Sequence, residues 1–423
     1  MTALTADLHD WKPRFFIIWS GQALSLVGSS LTQFVLVWWL TQETGSANAL
    51  ALAGVMAILP VALFSPVGGA LADRLSRRAV MIAADAITAG CMLVLVALFA
   101  SQRIQLWHIY TLMFVRATMQ AFQQPAAAAS TANLVPGHWL ERVAGMNQGL
   151  QGVMTIASAP LGAVALALMP TQGALMIDVV TAVLGITPLF FFKIPQPRRA
   201  PASELPDGRP AAPLVSLGVV LQDIREGARY ILHRRGLWML YAVNGLVVLT
   251  IMPPFSLTPL LVKQHFNGGV NEVAVMEALA GLGIILGSVL IGLWKIPAPR
   301  LVVVLVSFAV SCGTVALTAL APGDMLPLAV FWWFLSGVTF STGEAPMVAL
   351  LQTVIPNELQ GRTLALLNMI YGIATPLGLA IAGPLGEAFG VRTVFILGGA
   401  LSALISLLAL FSKSLWELAR GHA

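Results

Sequence analysis

Twelve stretches of the chain run for about twenty residues or more with almost only apolar side chains, separated by short polar segments. A helix rises roughly 1.5 Å per residue, so about 20 apolar residues cover a bilayer's hydrocarbon core. The pattern predicts crossing helices over residues 15–40, 48–72, 79–101, 106–131, 143–169, 173–192, 237–262, 272–294, 301–321, 326–352, 363–388 and 391–411. Prolines inside them, as in IMPPFSLTP around Pro253 and Pro254, are tolerated where neighbouring helices or a wet cavity satisfy the freed backbone groups. After the sixth span, KIPQPRRAPASELPDGRPAAPLVS (193–216) is the longest polar interruption and reads as a linker. The following LGVVLQDIREGARYILHRRG alternates apolar and charged positions at helical spacing, which predicts a helix lying on the membrane surface. The expected organisation is a six-helix bundle over 1–192, a linker with an amphipathic helix over 193–235, and a second six-helix bundle over 236–423.

Composition agrees with an all-α integral membrane protein. Of 423 residues, 58% are apolar and 10% charged, against roughly 25% charged in a soluble domain. Cys91 and Cys312 both lie in apolar runs and read as small buried hydrophobes, so disulfide scaffolds and cysteine-rich metal sites are excluded. The opening MTALTADLHDWKPR is polar and mixed in charge with no short apolar core, and no cleavable signal peptide is expected.

Charge then orients the spans. Nineteen of the 23 lysines and arginines fall on the side of the chain termini, only Arg103, Lys263 and Arg392 fall on the other, and Arg116 lies within a span. The positive-inside rule predicts cytoplasmic termini in a cell (inner) membrane. The net charge of +5 is therefore a topology signal, and no nucleic-acid partner is expected. There is no phosphate-binding G-x-x-x-x-G-K-[ST] loop, no H-E-x-x-H and no histidine cluster, so neither an enzyme nor a cofactor is expected. Nothing signals oligomerisation, and a monomer is assumed.

The two halves repeat each other. Pro136 and Arg142 in LVPGHWLER recur as Pro356 and Arg362 in VIPNELQGR at an offset of 220, and APLG from Ala159 recurs as TPLG from Thr375 at an offset of 216. Two related bundles around a central site are the architecture of many secondary transporters.

Between the second and third spans, GGALADRLSRR packs four charges into six residues. Gly68 and Gly69 allow close helix approach, and Asp73, Arg74, Arg77 and Arg78 follow. Asp73 is unnecessary for topology. Set against a helix N-terminus such as the one near Arg362, it would form a gate that breaks on opening, worth about 0.3–2 kcal/mol. The competing reading is that the loop is a basic anchor only.

This loop resembles the signature loop of the major facilitator superfamily. The stretches Asp10–Ala47, Arg77–Ile87 and Val135–Gln151 resemble the macrolide efflux permeases of its drug:proton antiporter branch, and that likeness is strong over roughly the first 195 residues. The resemblance implies a proton-driven exporter with a cavity between spans 1, 4, 7 and 10. In span five, SAPLGAV stands where the branch's antiporter signature has a Gly-Pro pair followed by two glycines.

Ionisable groups in lipid need a partner, water or a function. Arg116 lies ten residues into span four, with Gln120 and Gln123 on its face and Gln124 at the edge. It resembles the superfamily's fourth-span arginine, which is linked to proton coupling; a structural hydrogen bond is the alternative. Glu344 in span ten, the repeat equivalent of Gln124, is the leading proton site. Asp178 in span six and Asp85 in span three complete the candidates, with packing partnerships as the competing role. The cavity candidates are Trp19, Gln22, Ser25, Ser29 and Gln33 on span one; Met119, Gln120, Phe122 and Gln123 on span four; Asn244, Met252 and Phe255 on span seven; and Trp333 and Phe340 on span ten. Apolar walls with few polar groups suit bulky amphipathic ligands. The expected function is proton-coupled export of such compounds, most of all macrolides. A siderophore or metabolite exporter and a lysophospholipid transporter are the alternatives.

Overall fold

The computed structural model describes residues 11–192, 217–293 and 299–420. It is helical throughout these segments: α1 (Trp11–Thr44), α2 (Ala47–Arg74), α3 (Arg77–Ala100), α4 (Leu106–Leu134), α5 (Leu140–Leu168), α6 (Thr171–Phe191), α7 (Leu217–His233), α8 (Arg235–Ser256), α9 (Thr258–His265), α10 (Val270–Leu293), α11 (Arg300–Leu320), α12 (Leu326–Val354), α13 (Asn357–Phe389), α14 (Val391–Ala409) and α15 (Lys413–Ala419). Eleven of these are individually long and apolar enough to cross a bilayer. The predicted fourth span is α4, which has 29 residues and falls short of that apolar character because it carries Arg116 and three glutamines.

The predicted seventh span, 237–262, is two helices. Pro253 and Pro254 remove consecutive backbone donors, α8 stops at Ser256, and α9 restarts with Pro259 in its first turn. The predicted surface helix is α7. The predicted linker, 193–216, lies outside the described residues.

The chain forms two compact units, one from Met1–Leu36, Leu59–Met154 and Val164–Val220, the other from Val37–Ile58, Thr155–Ala163 and Leu221–Ala423. In unit one, α3 packs on α4 and α6. Gly68 lets α2 approach the carbonyl of Ala121 so closely that a Cβ would overlap it, whereas a Cβ on Gly69 would meet nothing within 4 Å. The close approach expected of both glycines therefore belongs to Gly68. Arg77 is buried and donates to the carbonyl of Ala129 at 2.8 Å. Arg78 donates to the last carbonyls of α6, Leu189 and Phe190, where a cation meets the negative end of the helix dipole. The loop arginines thus tie the helices of their own unit together. The side chains of Asp73 and Arg74 lie outside the described residues.

In unit two, α10 and α12 interlock through Gly283, Gly287 and Gly337, each against a backbone carbonyl of the other helix, the small-residue packing that lipid-embedded helices use. On α14, Leu397, Leu401, Leu404 and Leu408 form an exposed stripe at helical spacing while Phe395, Ser402 and Ser406 are buried, so the stripe is the lipid face. The turn between α1 and α2 is gripped from both sides. Lys263 of α9 donates to the carbonyls of Thr41 and Gln42, both at 3.0 Å, in the last turn of α1. Glu387 of α13 accepts from Ser46 Oγ at 2.6 Å and from the Asn48 backbone N–H at 3.4 Å, at the start of α2. A cation sits on a helix C-terminus and an anion on a helix N-terminus, so both charges complement the dipoles.

Candidate functional site

Unit one holds a cavity of about 410 Å³ between α1, α3, α4 and α5, with Ala182 of α6 in its wall. Phe15, Ile18, Met81 and Leu134, members of one buried apolar cluster, line one part of it. Trp19, Asp85 and Gln148 each lie eight residues from the start of their helix, which sets them roughly 12 Å in from that helix end.

Three chains of polar contacts run through this region. Gln123 Nε2 donates to Gln22 Oε1 at 2.7 Å, and Gln22 Nε2 donates onward to Asp85 Oδ2 and to the carbonyl of Gly185, both at 3.1 Å. Trp19 Nε1 donates to Asn147 Oδ1 at 2.8 Å, joining α1 to α5. Ser29 bridges two charges: its carbonyl accepts from Arg116 Nη2, and its Oγ donates to Asp178 Oδ1 at 2.9 Å. Arg116 Nη1 and Asp178 Oδ2 stand 3.9 Å apart, too far for a hydrogen bond, and neither atom has another hydrogen-bond partner among the described residues. Their side chains are 17% and 2% exposed, so this is a buried ion pair with an open seam.

The backbone permits these contacts where side chains would obstruct them. A Cβ on Gly28 would collide with Thr181 Oγ1, and one on Gly185 would come within 3.0 Å of the Gly21 carbonyl, so α1 and α6 nearly touch. This closeness brings Asp178 beneath Ser29, and carries Gly185 within reach of Gln22.

The structure brings Trp19, Gln22, Ser25, Ser29, Asp85, Arg116, Met119, Gln120 and Gln123 together on this cavity. Asp178 lies behind its wall. Gln33 and Phe122 are half-buried and do not line it. The remaining candidates belong to unit two. There the rings of Phe255 and Trp333 are 4.8 Å apart, Phe340 stands 6.0 Å from Phe308, and Met252 packs near Gly378. Asn244 is buried, donates to the Leu240 carbonyl at 2.8 Å and accepts from the Tyr371 hydroxyl at 3.3 Å. Glu344 is half-buried on α12. Sequence reasoning missed Asn147, Gln148 and Gln151 of α5, which line the cavity. Their signal was present in GMNQGLQG, where three carboxamides at i, i+1 and i+4 interrupt an apolar span.

A family model described as Major Facilitator Superfamily matches residues 18–378, and again 237–417. The chain is 29% identical over 401 residues to Macrolide efflux protein A of Streptococcus pyogenes, covering 94% of this chain and 96% of that protein. It is 24% identical to Multidrug efflux pump Tap of Mycolicibacterium fortuitum, covering 92% and 93%. The likeness by motif, strong over the first 195 residues, therefore continues through the second half. Among solved structures, a bacterial homolog to the human lysosomal transporter Spinster, inward-facing and unoccupied, superposes with a TM-score of 0.65 at 14% identity, covering 97% of this chain and 98% of that one. A POT family transporter in complex with 5-aminolevulinic acid gives 0.67 at 12% identity, covering 93% and 94%. These structures share the fold.

Proposed function

Because the chain belongs to the major facilitator superfamily, we propose that it exports bulky amphipathic compounds of the macrolide kind in exchange for protons, by alternating access between two six-helix bundles. The observation that carries this reading is a cavity of about 410 Å³ in unit one whose wall is wired to two acids, Asp85, half-buried, and Asp178, buried. Gln123 and Gln22 connect the cavity surface to Asp85, and Ser29 with Arg116 connects it to Asp178. A ligand that moves these side chains changes the partners of a carboxylate, and a carboxylate whose partners change takes up or releases a proton. Arg116, Asp85 and Asp178, with Glu344 of the second half, are the coupling groups in this reading. The unmet Nη1 and Oδ2 atoms fit a pair that exchanges partners during the cycle.

The whole-length relative supports the macrolide class. Among the described residues Arg116 is the one cationic side chain in the cavity lining, which favours a neutral or cationic ligand over an anionic chelate. Asn244, Met252, Phe255, Trp333 and Phe340 contribute the second half's share of the binding surface, and Gln33 and Phe122 belong to the first half's share. Gly69, Asp73, Arg74, Arg77 and Arg78 form the cytoplasmic gate, and both termini lie in the cytoplasm of a monomer.

The test uses inside-out vesicles with an acidic interior and a labelled macrolide. Accumulation abolished by a protonophore is expected. Gradient-independent accumulation would remove proton coupling, and no accumulation would remove the substrate class.

A further inference from the structure

Seven of the residues that line the cavity carry one functional group, the carboxamide. Gln22 and Gln123 are committed to the contacts that reach Asp85, but five further carboxamides stand exposed around the same space: Gln120 and Gln124 on α4, and Asn147, Gln148 and Gln151 on α5. Gln120, Gln124 and Gln148 hold no partner among the described residues, and the Asn147 oxygen is occupied by Trp19 while its amide nitrogen is not. The spacing concentrates them. Gln120 and Gln124 are one turn apart on α4, Asn147, Gln148 and Gln151 occupy a single turn of α5, and the Trp19 indole lies beside them.

A carboxamide has two donors and an oxygen with two lone pairs, and it carries no charge. An anion would use only its N–H groups and a cation only its oxygen. A hydroxyl offers a donor and an acceptor, as the carboxamide does, so a hydroxyl-bearing ligand satisfies both ends of Gln120, Gln124 and Gln148. The apolar group of Phe15, Ile18, Met81 and Leu134 on the same cavity would take an aliphatic skeleton. We propose that Gln120, Gln124, Asn147, Gln148 and Gln151 form a carboxamide wall that binds the neutral, hydroxyl-rich substituents of the transported compound, such as its sugars. The wall makes glycosylation the feature by which the cavity selects its ligand. This inference rests on the transport reading for its biological meaning, but it is a statement about binding and is measured without a gradient.

The experiment uses the full chain in nanodiscs and two probes with one skeleton, a glycosylated macrolide and its sugar-free aglycone. The intact chain is expected to bind the glycoside at least tenfold more tightly. Each hydrogen bond lost to Gln124→Leu or Gln148→Leu is expected to weaken the glycoside by roughly three- to tenfold more than the aglycone. Gln148→Glu, close in shape but without the amide donors, serves where a leucine variant does not fold, and it carries the same expected ratio. Equal affinity of the intact chain for both probes, including no measurable binding of either, overturns the proposal, as do equal losses on both probes in the variants. Selective glycoside binding without gradient-driven accumulation in vesicles upholds the wall and instead rejects the transport reading.

Discussion

Removing the Arg116 guanidinium should destabilise the protein more than removing both members of its pair with Asp178. The two charges lie 3.9 Å apart, and at an effective dielectric constant of 20 their attraction is about 4 kcal/mol. In Arg116→Met, Asp178 keeps only the hydrogen bond from Ser29 Oγ, with its side chain 2% exposed. Leaving a buried charge without its partner typically costs about 3–5 kcal/mol. Arg116 is 17% exposed, so water already screens part of the attraction, and the lower end, about 3 kcal/mol, is expected. Asp178→Leu should cost less, about 2 kcal/mol, because Arg116 retains its bond to the Ser29 carbonyl and some contact with water. The double variant Arg116→Met with Asp178→Leu leaves neither charge; the Ser29 hydroxyl loses its acceptor, at about 1 kcal/mol, and the Ser29 carbonyl loses the Arg116 donor. It should lie within about 1–2 kcal/mol of the original chain, which implies a coupling energy of roughly 3–4 kcal/mol. Denaturant unfolding in mixed micelles or bicelles, followed by tryptophan fluorescence, reads all four corners of the cycle. A double variant no more stable than Arg116→Met would refute the ion-pair account. If the pair also couples transport, that variant should fold normally and lose its response to a proton gradient.

Two further perturbations test the fold. Gly68→Ala should lower the thermal midpoint, because its methyl group meets the Ala121 carbonyl and overpacking costs about 1–3 kcal/mol, whereas Gly69→Ala meets open space and should raise it by helix propensity worth about 0.5–1 kcal/mol. The reverse order would discredit the α2–α4 contact. Lys263→Met removes the cation from the last turn of α1, a contribution of about 1 kcal/mol at this half-exposed site, and should raise the labelling rate of a buried Thr41→Cys probe three- to tenfold. An unchanged rate would mean that this contact does not hold the turn closed.

Sequence alone revealed the twelve spans because lipid demands about twenty apolar residues in a row, a requirement that leaves a continuous signal. Its one clear departure was the seventh span, where apolar character runs on past Ser256 while two prolines break the backbone hydrogen bonding. Hydropathy detects the solvent and not the hydrogen bonds. The loop arginines were legible as charge, but their attachment to the carbonyls of Ala129, Leu189 and Phe190 was not, since a backbone acceptor has no residue identity to read.

The candidate site was legible on α1, α3 and α4, where Asp85, Arg116 and the polar residues of the first span were read from the sequence, and obscure on α5, whose carboxamides carry no charge. Arg116, Asp85 and Asp178 announced themselves because a charge at that depth requires a partner, and Arg116 and Asp178 stand as partners across a seam bridged by Ser29. Ser29 and Gln22, unremarkable by composition, connect those charges to the cavity, and that role depends on how closely α1 and α6 approach. The carboxamides of α5 cost less to insert than a charge and were overlooked for that reason. Yet a neutral donor-acceptor group suits a passage that must bind a compound and then let it go, since it offers specificity through several weak bonds and no single strong charge. In the proposed reading, the acids with Arg116 serve coupling, while Gln120, Gln124, Asn147, Gln148 and Gln151 select the ligand.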